Sequence, residues 1–151
     1  MRLTTYTDYS LRILLFVAAF DDRLVTISEI QEKYQISRGH IMKIVNLLSG
    51  KGYLEAMRGR SGGIRLGRRL EAITVGEIVR LTEPDFKLTE CFGEENKCLV
   101  SEFCKLPDPL NKALNAFLQT LDDYTLADMK LSRECFKKIP DAPQRPRGPI
   151  L

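Results

Sequence analysis

The sequence predicts a mainly α-helical fold that carries one small β-hairpin. Two stretches begin with the pattern Thr-x-x-Glu, at Thr26 and at Thr74, and this pattern is typical of the first turn of a helix. Between them, Gly62 and Gly63 separate two short apolar stretches and indicate a hairpin turn with positive φ angles. A chain of 151 residues, 44% of them hydrophobic, suffices for one domain with a modest core.

Three helices are predicted in the first third of the chain. Apolar residues at helical spacing predict the first helix, over residues 9–20. The capping box at Thr26 begins a second helix that runs to about residue 34. After a short turn, Ser37 is placed to cap a third helix over residues 38–51, and Gly52 suits the position just after its end. Two short helices joined by a tight turn form a helix-turn-helix.

A basic hairpin follows this motif. Strands are predicted over residues 53–57 and 64–66, joined by the segment RGRSGG. This order is that of a winged helix-turn-helix, in which the third helix enters the major groove of DNA and arginines of the wing reach the minor groove. The residues expected to contact DNA are Ser37, Arg38, His40, Lys43, Arg58, Arg60, Ser61, Gly62 and Gly63. For the two glycines, an ordinary hairpin without a ligand is the alternative interpretation.

Charge is strongly segregated along the chain. Residues 38–69 contain eight Lys or Arg and the single acid Glu55, a net charge of +7, whereas the whole chain carries only +3. A basic helix face is often merely solvated, but segregation of this size beside a glycine-rich turn favours nucleic acid as the partner.

The second half of the chain is predicted to contain a short helix, a loop and a long helix. A second capping box begins the short helix over residues 74–82, which Pro84 ends. The long helix begins near Asp108, and a further short helix is predicted over residues 125–131. Four prolines follow residue 137 and predict a disordered tail.

These elements give four segments. Residues 1–83 form the DNA-binding domain, 84–106 a cysteine loop, 107–131 dimerisation helices and 132–151 the disordered tail. The long helix carries an apolar stripe at helical spacing, made of Leu110, Leu114, Phe117, Leu118 and Leu121. We interpret the stripe as a homodimer interface, since DNA sites of helix-turn-helix proteins commonly mirror a two-fold axis; the alternative is that it belongs to the core.

Three cysteines lie in the polar loop, with the pattern C-x6-C-x5-C: Cys91, Cys98 and Cys104. The longest apolar run, residues 13–20, is too short for a membrane span and has charged residues before it, so we expect a cytoplasmic protein and no membrane partner. In that reducing compartment, three clustered cysteines indicate a metal or iron–sulfur centre and not disulfides. Cys135 stands apart and has no assigned role.

Other classes of protein are disfavoured but remain as alternatives. A zinc site could use the same cysteines, although the gaps are longer than those of structural zinc knuckles. A cysteine-based enzyme would need a C-x-x-C motif or a histidine near the thiols, and the sequence has neither. A protein-interaction module could use the apolar stripe without touching DNA.

From Met1 to about Leu131, the chain resembles the winged-helix iron–sulfur transcriptional regulators of the IscR and NsrR group. The resemblance is carried by the three cysteines together with the segments MRLTTYTDYSLR, SRGHIMKIVNLLSGKGYL, RGRSGGIRLG, ITVGEIVR and LDDYTLADM. Within this group, Asp8, the SRGHIMKIVNLL helix and the IRLG end of the wing look more like the nitric-oxide-sensing NsrR type. In the IscR type a histidine ligand follows the cysteine loop, whereas here no histidine follows Cys104.

The resemblance implies a homodimeric repressor that binds a palindromic operator and senses nitric oxide. It further implies a [4Fe-4S] cluster in each subunit, held by Cys91, Cys98 and Cys104, with Asp8 of the partner subunit as the fourth ligand. Arg12, one helical turn after Asp8, is expected to hold this carboxylate in position.

Three alternatives stay open. The first cysteine gap, six residues, is longer than is usual in the NsrR type, so the cluster could be [2Fe-2S]. Iron supply or redox state could be the signal in place of nitric oxide. Without the resemblance, Asp8 is best interpreted as the N-cap of a helix that begins at Tyr9.

Overall fold

The computed structural model describes residues 2–93 and 96–138. In chain order, its elements are α1 (Thr5–Ala19), α2 (Ile27–Tyr34), α3 (Arg38–Gly50), β1 (Leu54–Met57), β2 (Gly63–Leu66), α4 (Val75–Thr82), α5 (Pro107–Asp122) and α6 (Arg133–Lys138). Single 3-10 turns occur at Leu70–Ala72 and Glu90–Phe92. Among the described residues, no helix has both the length and the apolar character needed to cross a membrane.

The first helix begins one turn earlier than predicted. Thr4 is its N-cap, and the Thr4 side chain accepts a hydrogen bond from the backbone N–H of Thr7. The polar residues before Tyr9 lack the apolar spacing that marks the rest of the helix, so periodicity did not reveal them. Asp8 therefore lies inside the first turn, and its interpretation as the N-cap is wrong.

The helix-turn-helix is confirmed. Thr26 forms the predicted capping box with Glu29, and the turn before α3 contains Gln35 at a φ of 54°. Ser37 caps α3 by accepting a hydrogen bond from the backbone N–H of His40. The helix ends as predicted with a glycine, since Gly52 has a φ of 76°.

The core lies between α1 and the helix-turn-helix. Fully buried side chains of α1, among them Ile13 and Leu14, pack against the apolar face of α3. The α3 residues predicted to face the core are all buried: Ile41, Ile44, Val45 and Leu48.

The hairpin is confirmed, but the conformational role of its glycines differs from the prediction. β1 and β2 are antiparallel, and Val25 extends the pairing by exchanging two backbone hydrogen bonds with Ile64, of 2.9 and 2.8 Å. The positive φ in the turn belongs to Gly59, at 113°, and not to the glycine pair. A Cβ on Gly62 would lie 2.4 Å from the Met57 carbonyl oxygen, and one on Gly63 2.8 Å from that of Val25. The pair is thus required by close backbone approach.

An ion pair joins α4 to the long helix α5. The guanidinium of Arg80 donates two hydrogen bonds to the carboxylate of Asp122, of 2.5 and 2.7 Å. This contact lowers the pKa of Asp122 below its ordinary value. The bidentate geometry fixes the C-terminal end of α5 against α4.

The helix predicted over residues 125–131 is wrong, because this segment is an irregular turn. Its backbone is hydrogen-bonded elsewhere: the N–H of Leu126 bonds the carbonyl of Ile73, and the N–H of Val75 bonds that of Tyr124. Leu126 is fully buried. Asp128 accepts hydrogen bonds from the backbone N–H and the hydroxyl of Thr125, the same pattern that caps a helix, but no helix follows.

The tail predicted to be disordered from residue 132 contains α6. Phe136 is only 4% exposed and packs edge-on against Phe16 and Tyr34 of the core. Arg133 donates a hydrogen bond to the carbonyl of Ala19, at 3.0 Å, and forms an ion pair with Asp22. The prediction of disorder is wrong for residues 133–138, and residues 139–151 lie outside the described residues.

Replacing Phe136 by Ala should destabilise the protein by about 3 kcal/mol, since a buried aromatic side chain would be lost from the core. The neighbouring Cys135 is exposed, so Cys135→Ala is a matched control and should change stability by less than about 0.5 kcal/mol. Urea unfolding followed by circular dichroism measures both. Equal midpoints for the two variants would show that α6 does not pack on the core.

Candidate functional site

The N-terminal half of α3 presents a polar surface to solvent. Ser37, Arg38, His40 and Lys43, four residues expected at DNA, are all exposed. The His40 ring is held at the helix cap, where its Nδ1 lies 3.1 Å from the Ser37 hydroxyl. The same helix is buried on its opposite side, so its orientation is fixed while its polar side stays free.

The wing presents a second polar surface. Arg58, Arg60 and Ser61 are exposed in the turn between β1 and β2. Gly62 and Gly63 are only partly exposed and face protein backbone, which gives them a structural role in shaping the turn.

Seven of the eight basic residues of the +7 segment fall into two groups. Arg65 pairs with Glu55 at 2.6 Å, and Arg69 pairs with Glu71 at 3.5 Å. Arg68 lies 4.3 Å above the Tyr53 ring and donates a hydrogen bond to the Lys51 carbonyl, at 2.7 Å. These three arginines are therefore already engaged in contacts within the protein.

The cations predicted to bind DNA belong to the other group. Within the described parts of the chain, no acidic side chain pairs with Arg38, Lys43, Arg58 or Arg60. Unpaired, exposed cations on one helix end and one hairpin are suited to phosphate groups, since no internal ion pair has to be broken first.

One residue that contacts α3 was missed in the sequence. The phenol of Tyr6, on α1, donates a hydrogen bond to the Lys43 carbonyl at 3.3 Å. Burial raises the pKa of Tyr6 above its ordinary value, so the phenol keeps the proton that it donates. Starting the first helix at Tyr9 excluded Tyr6; the TTYTDY segment, with tyrosines three residues apart, was the available signal.

The cysteine loop carries three separate free thiols. Cys91 and Cys104 are partly exposed and Cys98 is exposed. The Thr89 hydroxyl lies 3.1 Å from the Cys91 sulfur, and the backbone N–H of Cys98 donates to the Asn96 side chain. In the described ranges no three His, Cys, Asp or Glu side chains form a group that could hold a metal ion. The single chain therefore does not bring the predicted ligands together.

The chemistry of this donor set nevertheless fits an iron–sulfur cluster, because thiolates are the usual ligands of such clusters. All three thiols are at least partly open to solvent, and the first of them, Cys91, lies in the 3-10 turn Glu90–Phe92. The fourth cysteine, Cys135, lies on α6 beside the Ser132 hydroxyl, at 3.3 Å, and not in the loop.

Asp8 lies on α1 and pairs with Arg12. Two contacts join the side chains, a hydrogen bond of 2.9 Å from Nε and an ion pair of 2.7 Å from Nη2. The predicted contact between these residues is thus present. The Asp8 side chain is 44% exposed and can be reached by a second chain.

The rest of the single chain covers the apolar stripe of α5 only in part. All five of its residues are partly exposed and none is buried. Leu114 and Phe117 line a cavity of about 520 Å³, together with Leu3, Pro84 and Phe86. An apolar stripe that one chain covers only in part is typical of a surface that meets another protein surface.

Comparison with known proteins agrees with this description. The family model Rrf2, described as "Iron-dependent Transcriptional regulator", matches residues 3–131. The HTH-type transcriptional regulator NsrR of Bacillus licheniformis is 50% identical over 141 residues, covering 92% of this chain and 99% of the relative. NsrR of Bacillus subtilis strain 168 is 49% identical over 141 residues, covering 92% and 97%.

A solved structure shares the fold. T. potens IscR superposes with a TM-score of 0.68 at 25% identity, covering 85% of each chain. The predicted winged-helix architecture and the predicted resemblance to IscR and NsrR are therefore confirmed, and the relatives are regulators and not enzymes. The chain belongs to the Rrf2 family of iron-dependent transcriptional regulators.

Proposed function

We propose that this regulator is a homodimeric repressor that binds its operator with an iron–sulfur cluster in place and releases it when nitric oxide damages the cluster. The observation that carries the proposal is the presence, in one chain, of a three-thiol loop and a winged helix-turn-helix whose exposed cations have no acidic partner among the described residues. The similarity to proteins named NsrR supports the same assignment.

The DNA-binding surface has two parts that reach different grooves. The N-terminal half of α3, with Arg38, His40 and Lys43, enters the major groove, and Arg58 and Arg60 of the wing reach the minor groove beside it. Phosphate contacts supply much of the affinity, whereas contacts to base edges supply the preference for sequence.

The stripe on α5 holds two chains together around a two-fold axis. Its five apolar residues remain partly exposed in the single chain, and a second copy of the same stripe covers them. A two-fold dimer places two copies of α3 on two half-sites of a palindrome, about 34 Å apart.

Cys91, Cys98 and Cys104 hold the cluster, and Asp8 of the partner subunit completes its ligands. Arg12 holds the Asp8 carboxylate by two contacts and keeps it facing outward from α1. When bound, the cluster is [4Fe-4S] and supplies iron that reacts with nitric oxide. A ligand shared between subunits ties the loop of one chain to the first helix of the other, so loss of the tie shifts the spacing of the two α3 helices.

The wing should contribute to DNA affinity through its unpaired arginines. Arg60→Ala should weaken binding about tenfold and reduce the salt dependence by about one ion, because one phosphate or minor-groove contact is lost. The measurement is fluorescence anisotropy at several salt concentrations, with the duplex that cluster-loaded protein selects from a random library.

Arg65→Ala is the matched control, since Arg65 lies on the same hairpin but pairs with Glu55. It should change affinity by less than about threefold, less than the loss expected for one direct contact. Equal effects of the two replacements would remove the wing from the DNA-binding surface.

Charges placed in the stripe should separate the subunits. Leu114→Lys combined with Leu121→Lys replaces two apolar contacts, each worth about 2 kcal/mol, and sets like charges against each other across the axis. Sedimentation should show monomer. Asn115→Lys combined with Gln119→Lys adds the same charge to exposed positions of the same helix and should leave the dimer intact. A persistent dimer in the first variant would assign the stripe to the core.

The cysteines of the loop should be required for both colour and tight binding. Cys91→Ala, Cys98→Ala and Cys104→Ala should each abolish the brown iron–sulfur absorbance of anaerobically purified protein and its affinity for the selected duplex, whereas Cys135→Ala should change neither. Asp8→Ala should alter the spectrum without unfolding the protein.

Nitric oxide, added in stoichiometric amount to cluster-loaded protein, should bleach this absorbance and release the duplex together. Colourless protein containing zinc would favour a structural metal site. Cluster-free protein that binds the duplex as tightly as the loaded form would exclude the cluster as the switch.

A further inference from the structure

A buried polar junction joins the first turn of α1 to the last turn of α4. It consists of Thr4, Thr7, Thr82 and Glu83, and we call it the α1–α4 junction. Thr7 is fully buried and Thr82 is 7% exposed, which makes them two of the few buried polar side chains among the described residues. Buried hydroxyl groups must find hydrogen-bond partners, because an unpaired one costs about 1–3 kcal/mol.

One carboxylate oxygen organises the junction. The Oε1 atom of Glu83 accepts hydrogen bonds from the backbone N–H of Thr4 at 2.7 Å, the Thr4 hydroxyl at 3.1 Å and the Thr7 hydroxyl at 2.5 Å. The Thr82 hydroxyl lies 2.8 Å from that of Thr7 and 2.7 Å from the Ile78 carbonyl. Hydrogen bonds to a charged acceptor are stronger than neutral ones, so Glu83 fixes the start of α1.

The position of Glu83 in the chain links this contact to the cysteine loop. Glu83 is the C-cap of α4 and the last residue before Pro84, where the chain leaves the helix and runs towards Cys91. On the other side of the junction, Thr7 directly precedes Asp8. Any displacement of the segment leading to the cysteine loop therefore acts first on Glu83 and on the turn that presents Asp8.

From α1, contacts continue to the DNA-binding helix. The phenol of Tyr6, between Thr4 and Thr7 in the first turn, bonds the Lys43 carbonyl in the middle of α3. The Tyr9 ring faces the His40 ring, with 6.4 Å between their centroids. A rotation of the first turn of α1 thus moves groups that touch α3 at two points.

We propose that Glu83 and Thr7 are positioning residues that transmit the state of the cysteine loop to the DNA-binding helix within the same chain. This inference rests on the proposed function, since it names the intrachain route by which the switch acts. It adds a second connection to the shared Asp8 ligand, because the α1–α4 junction needs no partner subunit.

The quantity to measure is the ratio of affinities of cluster-loaded and cluster-free protein for the selected duplex. Thr7→Val keeps the shape of the side chain but removes the hydroxyl, and Glu83→Leu removes the acceptor. Each should lower the ratio at least about fivefold, the lower range of typical allosteric coupling. The absorbance of the loaded protein and the affinity of the cluster-free protein should remain those of the wild type.

Two conservative variants serve as matched controls. Thr7→Ser keeps the hydroxyl, and Glu83→Gln keeps one carbonyl oxygen for the three donors that a single oxygen accepts. Both variants should keep most of the wild-type ratio of affinities between cluster-loaded and cluster-free protein. A merely structural defect would lower melting temperature and cluster content in parallel with the ratio, whereas loss of transmission lowers the ratio alone.

Amide hydrogen exchange of the cluster-free full chain supplies a readout that needs no cofactor. Thr7→Val should accelerate exchange at residues 5–8 and also at residues 43–47 of α3, if the first turn of α1 steadies α3. Acceleration confined to residues 5–8 would overturn the inference. So would a wild-type ratio in both Thr7→Val and Glu83→Leu.

Failure of the proposed function has a different signature. If the wild-type protein itself shows a ratio of one, neither the switch nor its transmission exists. If the wild type shows a large ratio and the two disruptive variants match it, the switch stands and only the α1–α4 junction is excluded as its route.

Discussion

The burial of α1 is the constraint on which the other elements depend. Ile13, Leu14 and Val17 of this helix are completely buried. Side chains of α3, α4, β2 and α6 all reach the same core, so α1 fixes the distance between the DNA-binding head and the helices behind it. Because protein interiors are close-packed, a helix in this position cannot shift without a response from its neighbours. The first helix therefore packs both against the helix-turn-helix and against the helices behind it.

Some basic side chains are paired within the protein, and others are exposed without an acidic partner in the described residues. Arg65, in β2, and Arg68, just after it, are held by a carboxylate, an aromatic ring or a backbone carbonyl. Arg58 and Arg60 in the turn of the wing and Arg38 at the start of α3 are exposed, and no acidic side chain of the described residues pairs with them. Net charge alone does not separate these groups. The separation requires the cross-strand register that sets Glu55 opposite Arg65.

The sequence was most informative where structure is decided locally. The capping boxes at Thr26 and Thr74 predicted the starts of α2 and α4 because their hydrogen bonds join residues three apart. Long-range contacts were not accessible in this way. The backbone pairing of Leu126 with Ile73 accompanies an irregular turn where a helix was predicted, and the packing of Phe136 on α1 orders a segment whose composition indicated disorder.

In the candidate site, too, local features were visible in the sequence and long-range contacts were not. Cysteine spacing, basic residues and the Asp8–Arg12 pair, one helical turn apart, were all visible in the sequence. Glu83 was not, because its three donors lie about eighty residues away near the start of the chain. Tyr6 was missed for the same reason, since its acceptor is a backbone carbonyl on another helix. Residues with a candidate chemical role can be recognised in a sequence by their residue type. Residues that connect two elements can be identified only when the fold shows which groups they contact.

The cysteines lie entirely outside the core that holds the fold together. No thiol belongs to the core cluster of the described residues, and the loop that carries three of them begins after α4 has ended. If the loop holds a cluster, as proposed, loss of that cluster would not remove any side chain from this core. The proposed switch would then be reusable: one copy could respond many times, and the rate at which the cell resupplies iron and sulfide would set the time before repression returns.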